Sequence, residues 1–354
     1  MRRLPIVLVV LAMLIAACSA GSSESPVNSV APDAPSESSD DGSPSAEPPA
    51  ESTEPERSGS ARIGSGGDIS MATLPTLIVI DRLNELGYDV EMVQFGGSTS
   101  EVQAAVDGAI DISSASAPAQ MAAMDAGLAN RFFLSRVINE FVLVAKTEFD
   151  TCESLDGQPV AVHGLTSTDG LMTVNWLEEN CPDAEPTIQI VEGSENRLVA
   201  LLQDQVAASP LDLQNTVGLQ AERPGDFEIL GDYIVDFPIY AGTFSASPEW
   251  MAANEQLVAD FIDLHLDVWE EIYEDSSILL ERAEVELGQV DPELLPDIVQ
   301  AYVDAEVFPR DGGLTEDAVL LTLEFSDQAA EFQSLEAYED VATREYLDAA
   351  LAAR

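Results

Sequence analysis

The chain has 354 residues, enough for two ordinary domains, and 46% of them are hydrophobic, so a packed core is within reach. Against 65 acidic residues stand only 14 basic ones, a formal net charge of -51. That balance excludes a nucleic-acid binder, which must neutralise phosphates, and a protein held on anionic headgroups.

From the N-terminus, Arg2 and Arg3 form a short positive region and Leu4 to Ala16 an apolar run. At about 13 residues this run is short for a membrane span and suits an export signal. It ends in Ala16-Ala17-Cys18, which resembles the lipobox of bacterial lipoproteins. The resemblance implies cleavage after residue 17 and a lipid on Cys18; an ordinary secretory signal is the alternative. Either way the protein is expected outside the cytoplasm, where disulfides persist. Residues 18–60 are rich in Ser, Pro, Glu and Asp and nearly free of large apolar side chains, and read as a disordered acidic tether.

From Arg62 the pattern alternates. A strand at Ala61 to Gly64 precedes a helix from Ser70 to Leu86, closed by Gly87. Tyr88 to Phe95 is a strand, Glu101 opens a short helix, Ala109 to Ser113 is a strand and Ala117 to Ala126 a helix. Strands at Arg131 to Val137 and Glu140 to Lys146 follow. A second unit begins near Cys152, with strands at Gln158 to Val162, Thr187 to Val191, Val206 to Ala208 and Phe227 to Leu230. Helices alternate with them at Thr166 to Asn180, Glu195 to Gln203 and Asp212 to Gln220. Ile239 to Phe244 is β-like and returns to the first unit. Helices then cover Glu249 to Tyr273, Ser277 to Leu287, Pro292 to Val303, Thr315 to Phe325 and Arg344 to Ala353. This order implies mostly parallel sheets with helices on both faces. Residues 105–113 and 201–209 form a weak internal repeat of helix end, turn and short strand.

The phrase Val102 to Ser116, with Gly108-Ala109-Ile110-Asp111 inside it, and the run Ser154-Leu155-Asp156-Gly157-Gln158-Pro159-Val160-Ala161-Val162 resemble the solute-binding proteins of ABC importers. The branch is the one that includes nitrate, sulfonate, taurine and thiamine-related pyrimidine binders. The resemblance covers roughly residues 62–275. It implies an α/β fold of the two-domain periplasmic-binding-protein type II kind, with hinge strands and a helical C-terminal extension. Domain I is expected at 61–145 and domain II at 146–237, with 238–354 returning to domain I. The second unit departs from the family pattern, since Asp204-Gln205-Val206-Ala207-Ala208 lacks the usual Gly and Asp.

Ligands of open parallel sheets bind beyond the carboxyl ends of the strands. That rule selects Ser70, Met71, Gly97, Ser98 and Ser116 in the first unit. In the second it selects Gly164, Thr166, Ser167, Thr168, Glu192, Ser209 and Asp212. Glu140 and Tyr240 join them from the expected hinges, near 137–141 and 237–242. Any single hydroxyl here is more simply read as the cap of its own helix. Six such loops on one edge are better read as a site for a polar solute. Arg136 and Arg197 are the only cations nearby, while Glu140, Glu192 and Asp212 favour an amine or a protonated ring. His163 at a strand end reads as structural, and Trp176, Tyr240 and Phe95 as core or as stacking surfaces.

Cys152 precedes the first strand of the second unit and Cys181 ends the following helix, so both lie at one end of the sheet and a disulfide is expected. It would contribute roughly 3 kcal/mol. A thiol nucleophile paired with His163 would place the two groups at opposite ends of one strand. No catalytic constellation, metal motif or cofactor is expected. The reading is an extracytoplasmic, lipid-anchored, monomeric solute-binding protein. It captures a small organic or nitrogenous solute and delivers it to an ABC permease and its ATPase. Alternatives are a binding component of another transporter or sensor system and, further off, a secreted enzyme.

Overall fold

The structure, a computed structural model, describes residues 57–165 and 167–354. Cys18, the signal and most of the acidic tether lie outside the described residues, as does Thr166. In chain order the strands are β1 (Ser60–Gly66), β2 (Asp89–Phe95), β3 (Arg131–Val137), β4 (Phe141–Lys146), β5 (Pro159–Val162), β6 (Thr187–Ile190), β7 (Ala208–Asp212), β8 (Phe227–Gly231) and β9 (Gly242–Ala246). The helices up to β9 are α1 (Leu74–Glu85), α2 (Ser98–Val106), α3 (Ala117–Asp125), α4 (Thr168–Asn180), α5 (Ser194–Leu202), α6 (Leu213–Glu222) and α7 (Tyr233–Asp236). The rest is helical: α8 (Pro248–Ala253), α9 (Glu255–Glu274), α10 (Ser277–Glu286), α11 (Leu295–Asp304), α12 (Glu316–Ala330), α13 (Tyr338–Val341) and α14 (Glu345–Ala353).

Local chemistry sets several of these boundaries. Pro75, Pro118, Pro248 and Pro296 sit in first turns, where a missing N–H costs nothing. Ser167, Asp212 and Ser247 cap α4, α6 and α8 through their side-chain oxygens. Gly87 ends α1 at φ +104°, as a C-terminal glycine should. The expected helix over 249–273 is instead two, broken at Asn254. The order also begins before residue 61, with Arg57 Nε donating to Asp260 at 2.8 Å.

The expectation of mostly parallel sheets is corrected. The second sheet runs β6-β5-β7-β4-β8, with β5 parallel to β6 and β7 but β4 antiparallel to both β7 and β8. In the first lobe β1 and β2 pair in parallel, while β3 and β9 pair antiparallel. The physical reason is the route of the chain. β4 and β9 arrive directly from the other lobe, with no helical crossover to impose a parallel direction. Residues 109–113 form only single bridges, Ile112 to Ile63 and Ser113 to Ser245, which link the two pairs of the first lobe. The third strand of the second lobe lies later than expected, at 208–212 rather than 206–208.

Both lobes therefore share one plan, and the internal repeat falls on it. Ile112 pairs with β1 as Ala208 pairs with β5. The first lobe is cored by Phe133 of β3 and Phe244 of β9 against Phe261, His265 and Trp269 of α9, with α1 packed on α9. The second sheet buries both faces, one under Trp176 and Tyr233, the other under Leu201, Leu219 and Phe227. The tail helices touch both lobes: α11 packs on α6, and α12 packs on α3 and α4. Cys152 and Cys181 form the expected disulfide, with Cα atoms 5.2 Å apart.

Candidate functional site

The first lobe presents three loops at one sheet edge, after β1, after β2 and at Ser113–Ser116. Glu101 on α2 ties them together. Its side chain is fully buried, and Oε1 accepts from Ser113 Oγ at 2.9 Å and from the Ser114 N–H at 2.6 Å. Room for it comes from two glycines on one face of β1. A Cβ at Gly64 would stand 2.6 Å from Glu101 Cγ, and one at Gly66 would stand 2.9 Å from Oε2. Oε2 has no hydrogen-bond partner. Burial raises this carboxyl above its ordinary range, against the pull of the Ser114 and Ser113 hydrogen bonds. Ser98 Oγ accepts from the Ser116 N–H at 3.2 Å, joining two of the loops.

In the second lobe the corresponding edge is organised by a buried ion pair. Arg197 on α5 meets Asp169 at 3.2 Å, both almost inaccessible, and Arg197 Nε donates to the Pro210 carbonyl at 3.1 Å. Asp169 also accepts from the His163 N–H at 3.0 Å. Arg197 is thus spent on structure, which its place in the sequence did not reveal. Ser167 caps α4 through Gly170 N–H and bonds Asp169, so its hydroxyl has the capping role. His163 is exposed, and its Nδ1 accepts from the Gly193 N–H at 3.2 Å, in keeping with a structural role.

The two edges meet at the strand crossings. The Met71 N–H donates to Gln214 Oε1 at 3.0 Å, and Leu213 packs into the core of the first lobe. Glu140, between β3 and β4, accepts through Oε2 from the Tyr302 hydroxyl of α11, and its backbone oxygen accepts from the Leu213 N–H. Burial and the neighbouring Asp212 carboxylate push Glu140 up to about 7, while Tyr302 and Arg136 pull it back. Asp212 itself accepts from the Asn215 N–H at 2.8 Å as the cap of α6. Arg136, on β3, donates through Nη1 to the Ala72 carbonyl at 3.2 Å. Asn139, missed by the sequence reading, is buried and donates to the Tyr233 and Phe237 carbonyls, pinning one crossing to the other.

Ser70, Met71, Gly97, Ser98, Ser116, Gly164, Thr168, Glu192, Asp212 and Glu140 all lie on these edges or crossings. Thr168 is buried with its Oγ1 unpartnered, and Glu192 is exposed. Met71 is wholly buried, so only its backbone N–H takes part. Two expected residues are displaced. Ser209 is buried inside β7, because that strand extends to Asp212. Tyr240 packs against Leu314 and Val319 in a satellite core, and its hydroxyl accepts from the Thr315 N–H. Trp176 is likewise core, with Nε1 donating to Asp236 at 3.1 Å. Two surface grooves, one at Leu128 and Pro248 and one between α4 and α12, lie away from these edges. Among the described residues no group of His, Cys, Asp and Glu could hold a metal ion.

The family profile described as NMT1/THI5 like matches residues 83–277, just over half of the chain. No curated protein matches the sequence. Among solved structures, the periplasmic aliphatic sulphonate binding protein SsuA of Escherichia coli has a TM-score of 0.62 at 16% identity, covering 78% of this chain and 93% of that one. The ligand-binding component of an ABC-type import system from Staphylococcus aureus gives 0.65 at 14% identity, covering 82% and 98%. The periplasmic nitrate-binding protein NrtA of Synechocystis PCC 6803 gives 0.59 at 10% identity, covering 83% and 88%. At such identities the likeness is one of fold, and the shared fold is the two-lobed architecture with paired crossings described above.

Proposed function

The chain belongs to the NMT1/THI5-like family, and we propose that it is an extracytoplasmic solute-binding protein serving an ABC importer. It captures a small organic or nitrogenous solute between the two lobes, anchored to the membrane by a lipid on Cys18. The lobes are taken to divide at the crossings, so that β4, expected in domain I (61–145), goes with the second sheet, in which it pairs with β7 and β8; the second lobe ends near 237 and the chain returns from 238. The observation that carries this reading is the meeting of two strand-end edges at two chain crossings of the described residues, 138–140 and 237–241. Such an arrangement lets lobes close on a solute and exclude water. The solved neighbours, named for sulfonate, nitrate and ABC-type import, support the transport role. The chain acts by binding and release rather than by turnover, and its partners are a permease and an ATPase.

The test is non-denaturing mass spectrometry of the chain taken from membranes. We expect the protein mass plus a diacylglyceryl group, and a small molecule lost on denaturation. A chain without lipid would remove the anchor. A bare chain that binds nothing when titrated with a metabolite extract would remove the solute-binding reading.

A further inference from the structure

A groove of about 440 Å³ opens between α4 and α12, a volume in the range of small-ligand sites. Its floor is the second crossing, at Phe237, Pro238 and Ile239, met from α12 by Leu321 and Phe325. The rings of Phe237 and Phe325 stand 5.8 Å apart at 53°. Ile239 and Phe325 are buried, but Phe237 is half-buried, Pro238 is exposed and Leu321 is 39% exposed. An apolar floor left open to water inside a polar rim marks an interaction site.

The rim of this groove is acidic. Glu178 and Glu179 stand on α4, Asp236 ends α7 and Glu324 stands on α12, all four exposed. No lysine or arginine lines the groove, and among the described residues none of the four carboxylates pairs with one. Asp236 accepts from Trp176 Nε1 at 3.1 Å, which leaves its charge unanswered. Acids are common on this surface and by themselves select nothing. Here four of them surround an aromatic floor with no cation between them, and the combination is selective. An anion would be repelled, a neutral apolar molecule would leave the carboxylates unpaired, and a small inorganic cation would leave the floor wet.

The geometry points to this groove as a second binding site, for a small organic cation with an aromatic body. The cationic head lies among Glu178, Glu179, Asp236 and Glu324, and the ring rests on Phe237, Phe325 and Leu321. Apolar burial supplies most of the attraction, and the rim charges select the sign of the head group. The site is apart from the strand-end edges and does not depend on what the interlobe cleft takes. Its occupant touches α4 of the second lobe and α12, which also packs on α3 of the first.

The full chain is titrated by calorimetry in dilute buffer with 3-phenylpropylamine, with the neutral 3-phenylpropan-1-ol, with 3-phenylpropanoate and with propylamine. The aromatic amine is expected to bind one-to-one and about fivefold more tightly than the alcohol, the scale of several exposed charges acting together. The anion and the ringless amine should give no saturable binding. Glu178→Gln combined with Glu324→Gln should weaken the amine by about fivefold, and Leu321→Ser by about threefold. An equal change of charge at exposed residues of α10, Glu281→Gln with Glu284→Gln, should leave it within about twofold, which separates the groove from the general pull of an acidic surface. Far-UV circular dichroism and melting check that each variant is folded, and the exposed rim pair serves if Leu321→Ser is not. No saturable binding of the aromatic amine, an alcohol that binds as tightly, or an equal loss in the α10 variant overturns the site. So does binding unchanged in both groove variants, which would put the amine in the interlobe cleft and leave the solute-binding reading standing.

Discussion

Glu140 is the residue whose chemistry depends most on where the fold puts it. Its unfolded carboxyl loses a proton near 4.5 and the folded one near 7. Between those values the native state holds more protons, so stability falls as pH rises through that window and is level outside it. The loss amounts to roughly 3 kcal/mol above pH 7. Glu140→Gln keeps an oxygen for Tyr302 and has no proton to lose. Urea unfolding at pH 5 and pH 8 should show the variant gaining on the wild type by about 1–3 kcal/mol at the higher pH. Parallel profiles would mean that the carboxyl is not held neutral by the fold. His265 shifts the other way: wedged among Phe244, Phe261 and Trp269, it is driven down to about 3, chiefly by burial. It stays neutral in the fold, so its stabilising share is complete above about 6.5 and is lost as pH falls towards 3. Neither shift is legible in the sequence, because the groups that bury Glu140 and His265, such as Tyr302 and Phe244, lie far from them in the chain.

At the level of elements, the internal repeat was visible and its detail was not. Gly108 and Asp204 occupy equivalent turns, at φ +68° and +58°. The missing glycine of the second unit therefore changes no backbone geometry. Asp tolerates the left-handed region better than most residues, and Asp204 is also held by Lys146 at 3.0 Å. The disulfide is the other element-scale feature, tying the C-terminus of α4 to the turn before β5. With 29 residues of separation, the double variant Cys152→Ser, Cys181→Ser should lose roughly 3 kcal/mol in denaturant. A loss under about 0.5 kcal/mol would show that the closed loop is already constrained without the bond.

For the whole molecule, charge dominates. The full chain carries a formal net charge of -51. Like charges at this density repel across the folded surface, and salt screens them within about 10 Å at 0.1 M. The melting temperature should rise by several degrees between dilute buffer and 1 M sodium chloride. An unchanged value would mean that the acids are neutralised in pairs or spaced beyond one another's reach. The tail adds a second whole-molecule feature. By packing on α6 and on α4, α11 and α12 lie across both lobes rather than bracing the first alone.

The sequence by itself determined the alternation of strands and helices and the place of the disulfide at one end of the second sheet, and its family resemblance implied the two-domain fold class. The alternation follows from period and turn residues, and the disulfide from the order of strand and helix between its two cysteines. Only the tertiary structure decided that the crossing strands run antiparallel and that Ser209 and Tyr240 turn inward. It also decided which cation near the two edges carries an ion pair, since Arg197 is consumed by Asp169 while Arg136 donates to the Ala72 carbonyl. Strand direction across lobes, burial and charge pairing are set by residues far apart in the chain, and no window of sequence contains both partners.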